Sequence, residues 1–409
     1  MRPRSVTAFY QTAARAWLTA AVASLALPVS WRLGVWLPLH LALAGAISTA
    51  ISGAMQNFML AMTATPSPPE RWVQAQFVLV TAGAGAIAIG VPTATPWLTA
   101  TGGIAFVGAM GILGWMLRRA WRRALNRRHA TPIATYAWAI GFVLLGAALG
   151  ASLGSGAVEG AWYPHLKRAH MVVNVLGWAS LTVVGTLITL LPTVLRLRMP
   201  SWPGRGVLAL LVGGLLAQLL GSDLGWAWML AAGGIAYAAG ALGVVLLVFK
   251  VMRTERTWAI PAAAFHMMAA VAWFVVGSFG LALALFDGEA GFDRYRATFL
   301  VAFVGGWLVQ VLLGAWSYLL PMARPGHPND RRRALAVFEL AASLQIVLLN
   351  GGFVLMAARA SGWIGDGPGR LGVAAALAGG AIALAKAWWF GTLARGPVLT
   401  DRARAVWGE

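Results

Sequence analysis

Six histidines and no cysteine leave this chain only imidazole, thioether, carboxylate or backbone oxygen with which to hold a metal or a prosthetic group. His165 and His170 stand five residues apart in YPHLKRAHMVVNVLGW, at the start of a long apolar run; His40 opens HLALAGAISTAISGAMQNF; His266 lies within PAAAFHMMAAVAWF. A neutral imidazole binds iron or copper through one ring nitrogen while a hydrogen bond orients the other. Asn174 follows His170 by one helical turn on the same face, where it could orient a bound group. His266 is about nine residues inside its apolar block, roughly 14 Å from the edge, a depth at which ionisable groups face a partner in the bundle interior. His40, His170 and His266 are therefore the candidate metal ligands. His165 is a further ligand, a proton-relay group or an exposed loop residue, and His129 and His327 lie in polar connections.

Two charged residues, Lys386 and Glu339, fall inside apolar blocks. Neighbouring helices could join them as an ion pair, serving as a proton-entry point or as a clamp between helices. Met267 and Met268, with Met55, Met59 and Met62, are possible thioether donors to copper, although methionine in an apolar helix is more often packing.

The elements that must position these residues are membrane helices. Of the 409 residues, 59% are hydrophobic and 11% charged, and the apolar residues come in blocks long enough to cross a bilayer. Hydropathy places spans near 14–30, 34–62, 72–91, 97–117, 133–152, 167–192, 206–221, 224–249, 258–285, 297–321, 334–357 and 371–394, which predicts an all-α bundle of about 12 transmembrane helices in a single membrane domain. The net charge of +19 lies in the short connections, including RRAWRRALNRR (118–128) and RRR (331–333). That is the positive-inside pattern rather than a nucleic-acid surface, so no nucleic-acid partner is expected and the bilayer is the expected one. Of the 31 Lys and Arg, 23 fall on one side, which sets both termini in the cytoplasm of a bacterial inner membrane.

GTLITLLP (185–192) and GAWSYLLP (314–321) close two of these spans, with Gly185 and Gly314, and Pro192 and Pro321, offset by 129 residues. His40 and His170 are offset by 130, and Gly53 and Gly185 by 132. Spans two, six and ten thus look like corresponding helices of three four-helix units, about 14–117, 133–249 and 258–394. In span two, Gly45, Thr49 and Gly53 recur every fourth residue, a small-residue stripe for close helix approach.

This layout, with histidines at the starts of the second and sixth spans, resembles subunit I of the haem–copper oxidases. AHMVVNVLGWASLTVVGTLITLLPTVLR and QVLLGAWSYLLP are similar to the membrane region associated with copper nitrite reductases and, more distantly, to the NnrS family of membrane proteins. The resemblance implies haem b, or haem with copper, on His40, His170 and His266. It further implies nitrogen-oxide or respiratory electron transfer, with a cupredoxin-domain nitrite reductase or a cytochrome c-type protein as electron partner. A complete haem–copper catalytic centre needs more histidines than these spans hold, since span ten has none. Two other classes remain open: a membrane transporter for copper or a small anion, and a cofactor-free structural subunit of a respiratory complex.

Overall fold

The computed structural model describes residues 3–125, 127–198, 202, 204–253, 260–323, 327–393 and 406. Among them all regular structure is helical. The helices are numbered here α1 (Pro3–Ala23), α2 (Trp36–Thr63), α3 (Glu70–Gly90), α4 (Pro96–Arg122), α5 (Ala130–Gly154), α6 (Trp162–Val194), α7 (Gly204–Asp223), α8 (Ala227–Arg253), α9 (Ala262–Ala284), α10 (288–323), α11 (Pro328–Glu339), α12 (Ala342–Ala360) and α13 (Asp366–Leu393).

Ten helical runs are long and apolar enough to cross a membrane. One of them, Ala262–Ala323, has 62 residues and is two crossings rather than one. A 3-10 turn at Leu285–Asp287 and Gly288 at φ +62°, a backbone setting that costs a glycine nothing, fold α10 back on α9. Counting α1, the described residues form twelve crossings, with α11 as a short extra helix. The chain is a polytopic helical membrane protein.

Several expected boundaries move. The first helix covers Pro3–Ala23 rather than 14–30. Within it Tyr10 is buried: its hydroxyl lies 3.0 Å from Val73 O and 2.5 Å from Gln76 Oε1, to which it donates, and it accepts from Gln56 Nε2 at 3.1 Å. The span expected at 334–357 is broken. Residue 340 is extended and Ala341 has φ +48°, so α11 ends at Glu339 and α12 begins at Ala342. Residues 258–259 and 394, the edges expected for the third four-helix group, lie outside the described residues.

By its contacts the chain divides into two compact units, residues 1–186 and 187–409. In the first, α1 packs on α2 where glycines remove the side chain: a Cβ on Gly45 would lie 2.9 Å from the Trp17 ring, and one on Gly53 would lie 2.5 Å from Tyr10 Cβ. In the second, Phe274 stacks on Trp307 at 4.5 Å and meets Phe303 and Tyr237 edge-on, all of them fully buried.

The three helices offset in the sequence share a local feature. Only α2, α6 and α10 among the described helices contain a π-wound stretch, at Leu41–Ile47, Val173–Ser180 and Leu300–Val309. Each also meets the first helix of its own group through a glycine. A Cβ on Gly53 would strike Tyr10, one on Gly185 would strike Thr135, and one on Gly314 would strike Ala263 O and His266 Cβ.

Candidate functional site

Of the residues singled out in the sequence, the first unit brings His40 and His170 together. Their ring centroids are 6.3 Å apart and their planes 8° from parallel. Both sit at the beginnings of their helices: His40 immediately precedes the π stretch of α2, and His170 comes three residues before that of α6. Wide π turns inside α-helices concentrate at functional sites, because the extra residue redirects side chains and backbone groups that a regular helix would fix.

Each ring is oriented by a group that can only accept. His40 Nδ1 lies 2.9 Å from Trp36 O, one turn earlier on α2, and His170 Nδ1 lies 2.8 Å from Gly146 O on α5. A carbonyl cannot donate, so the proton of each neutral imidazole is on Nδ1 and the lone pair is on Nε2. No hydrogen bond to either Nε2 is found among the described residues. Metal-bound histidines have this arrangement, with the non-ligating N–H tied to a carbonyl and the other nitrogen left for the ion.

The walls are built for these rings. The Trp36 indole stacks on His40 at 3.9 Å and 21°. On α5, Gly146 and Gly150 stand four residues apart, and a Cβ on Gly150 would lie 2.5 Å from His170 Cε1, while one on Gly146 would lie 2.4 Å from Asn174 Nδ2. Asn174 itself donates to His170 O at 2.7 Å, with its amide nitrogen 3.2 Å from His170 Nδ1. It therefore braces the helix turn that carries His170. The Trp178 indole N–H donates to Ser48 Oγ at 3.1 Å, tying the π stretch of α6 to α2 just past its own.

His165 is elsewhere on its helix. Five residues turn the chain by about 140°, so it points away from the side of α6 that carries His170, and it packs edge-on against Trp162 at 5.7 Å. His129 accepts from Arg128 Nε at 3.1 Å, and burial together with that guanidinium holds its imidazole below the usual histidine range. His327 caps α11, where its Nδ1 accepts from Asn329 N at 3.3 Å. Met55, Met59 and Met62 are core residues of the first unit.

The second unit holds a separate polar cluster containing His266, Gln345, Glu339 and Lys386, all buried. His266 is not left with an open Nε2 as the expected third ligand would be. Gln345 Nε2 donates to it at 2.9 Å. The orientation of that amide is fixed from its far side, since Lys386 Nζ, which can only donate, lies 2.8 Å from Gln345 Oε1. His266 Nδ1 then carries the proton and has no partner, an orphaned donor in a side chain 1% exposed. Such a group costs about 1–3 kcal/mol.

Lys386 also reaches Phe338 O at 3.3 Å, and Glu339 accepts from Ala262 N at 3.0 Å at the start of α9. Beside their mutual electrostatic attraction, the two charged residues serve the break between α11 and α12: the lysine holds a carbonyl beside the break, and the carboxylate caps a neighbouring helix N-terminus. Further along α10 and α12, Gln310 Nε2 and Trp273 Nε1 both donate to Asn350 Oδ1, at 3.3 and 2.9 Å, and Gln310 Oε1 is a second buried orphan.

Sequence reasoning overlooked Trp36, Gly146, Gly150 and Gln345. The glycine pair on α5 had a readable signal, small residues four apart in an apolar helix. Gln345 had only its polarity within an apolar block. Among the described residues, no group of three or more His, Asp or Glu side chains is placed to hold a metal ion. No protein-family model matches the chain, and no curated protein matches it.

Proposed function

We propose that the protein works in membrane electron transfer, near the outer face of a bacterial inner membrane, and that His40 and His170 would hold a b-type haem. One observation carries the reading: two imidazoles with Nδ1 tied to backbone carbonyls, Nε2 open, and ring centres 6.3 Å apart. Neutral imidazole is the donor that haem iron takes from a protein.

The donor set favours haem over a bare copper ion at this place. A porphyrin brings four nitrogens of its own, so two protein ligands complete the iron, whereas a protein copper site draws on a third side-chain donor. When bound, the haem would supply one-electron chemistry. The chain's own contribution is to hold both imidazoles neutral and rigid, to cover one face of His40 with Trp36, and to leave room for His170 through Gly150. Nitrogen-oxide metabolism, with a cupredoxin-domain or cytochrome c-type electron partner, is the setting suggested by the resemblance of the α6 and α10 stretches.

The test is the absorption spectrum of protein purified from cells supplied with a haem precursor. Oxidised and dithionite-reduced samples are expected to show the Soret and sharp α bands of a bis-histidine haem, and His40→Ala and His170→Ala are each expected to remove them. A well-folded protein without those bands overturns the reading. The transporter alternative rests on the broken α11–α12 segment beside a buried lysine, since interrupted helices line substrate sites in many transporters. Copper or anion uptake by proteoliposomes that survives both histidine variants would favour it.

A further inference from the structure

We infer that Lys386 and His266 form a one-proton exchange site, in which the Gln345 amide allows only one of the two to be cationic at a time. The argument rests on donor and acceptor counting. With Lys386 charged, its N–H bonds require Gln345 Oε1 toward it, and the amide N–H₂ then faces His266, as in the structure. His266 must offer a lone pair there and is neutral. If His266 takes up a proton, Nε2 becomes a donor and meets a donor. Relief requires Gln345 to turn over, which brings its N–H₂ against the lysine. That orientation is acceptable only once Lys386 has become a neutral amine with a lone pair to offer. The proton then rests on histidine instead of lysine, with the amide reversed.

A further charged group stands beside the pair: Glu339 on α11 accepts from Ala262 N and attracts Lys386 electrostatically, which favours the lysine as the resting cation. From α12 comes the uncharged Gln345, and α10 presents Gly314 to the Cβ of His266. The orphaned Nδ1–H of His266 supplies a second, independent pointer. A buried donor without an acceptor is where a water molecule would bind, and Gln310, one turn from Gly314 on α10, leaves a buried acceptor equally open. A proton taken up at the Nε2 lone pair of His266 as Lys386 releases one would shift the charge between α9 and α13 without either side chain travelling.

Full-length protein labelled with ¹⁵N-histidine, in lipid bilayers, tests the count by solid-state NMR, with His266→Phe identifying the signal. In wild type, His266 is expected to be neutral and protonated on Nδ1 at about pH 7 and still so at about pH 5, below the ordinary imidazole range. Lys386→Met, which removes the competing charge and is nearly isosteric, is expected to make His266 an imidazolium at about pH 5. Gln345→Glu, whose carboxylate accepts from both sides, is expected to put a proton on Nε2 with Lys386 still present. An imidazolium in wild type at the lower pH, or a neutral His266 in Lys386→Met or in Gln345→Glu at that pH, overturns the proposal.

Discussion

The two histidine sites, one half-buried and one buried, use the same side chain in opposite ways. In the first unit the backbone takes the Nδ1–H of His40 and His170 and leaves two lone pairs open. In the second, an amide takes the lone pair of His266 and leaves its N–H without a partner. Which nitrogen is committed, and to what kind of group, therefore separates a candidate ligand from a member of a hydrogen-bond network more sharply than depth in the membrane does.

The comparison can be broken or sharpened by substitution, and the largest effect is expected where a ligand is lost. His170→Ala should abolish haem content altogether, read as the Soret-to-protein absorbance ratio, while His266→Phe should leave that ratio unchanged. If His266→Phe empties the protein of haem while it still folds, the two sites have been assigned the wrong way round. Next comes Gln345→Leu, which strips Lys386 of an acceptor and His266 of a donor. A loss of about 2–4 kcal/mol is expected from two buried groups left unpaired, seen as a lowered thermal midpoint in detergent. Gly150→Ala forces a methyl to within 2.5 Å of His170 Cε1 and should turn that ring. A 10–100-fold weaker haem affinity in a still-folded protein is the expected result, comparable with losing an outer hydrogen-bonding partner of a metal ligand. The smallest effect belongs to His165→Ala, whose haem content should match wild type; a loss there would show that His165 reaches the site after all.

How far the sequence revealed these sites depends on distance along the chain. His170 and Asn174 lie on one helix, so their relation follows from helical spacing; the 130-residue offset set His40 at a corresponding place on α2, but that the two rings meet came only from the fold. The proximity of Gln345 to His266, across 79 residues, follows from no periodicity. The break before α12 was also invisible: VFELAASL contains neither Gly nor Pro, and the left-handed residue is an alanine. Hydropathy misplaced α1 for a third reason. Tyr10 on α1 is buried against Gln76 and Gln56 of neighbouring helices, and a scale that scores each residue alone cannot register polar groups that satisfy each other.

The π stretch of α2 has one more consequence, which concerns angle. A wide turn accommodates surplus chain without ending the helix, so residues on its two sides are phased differently about the same axis. Removing a single residue between 41 and 47 would rewind α2 as a regular helix and swing His40 by about 100° while leaving every ligand-type side chain in the protein. The orientation of that imidazole is set by the length of the chain beneath it as much as by the residues around it.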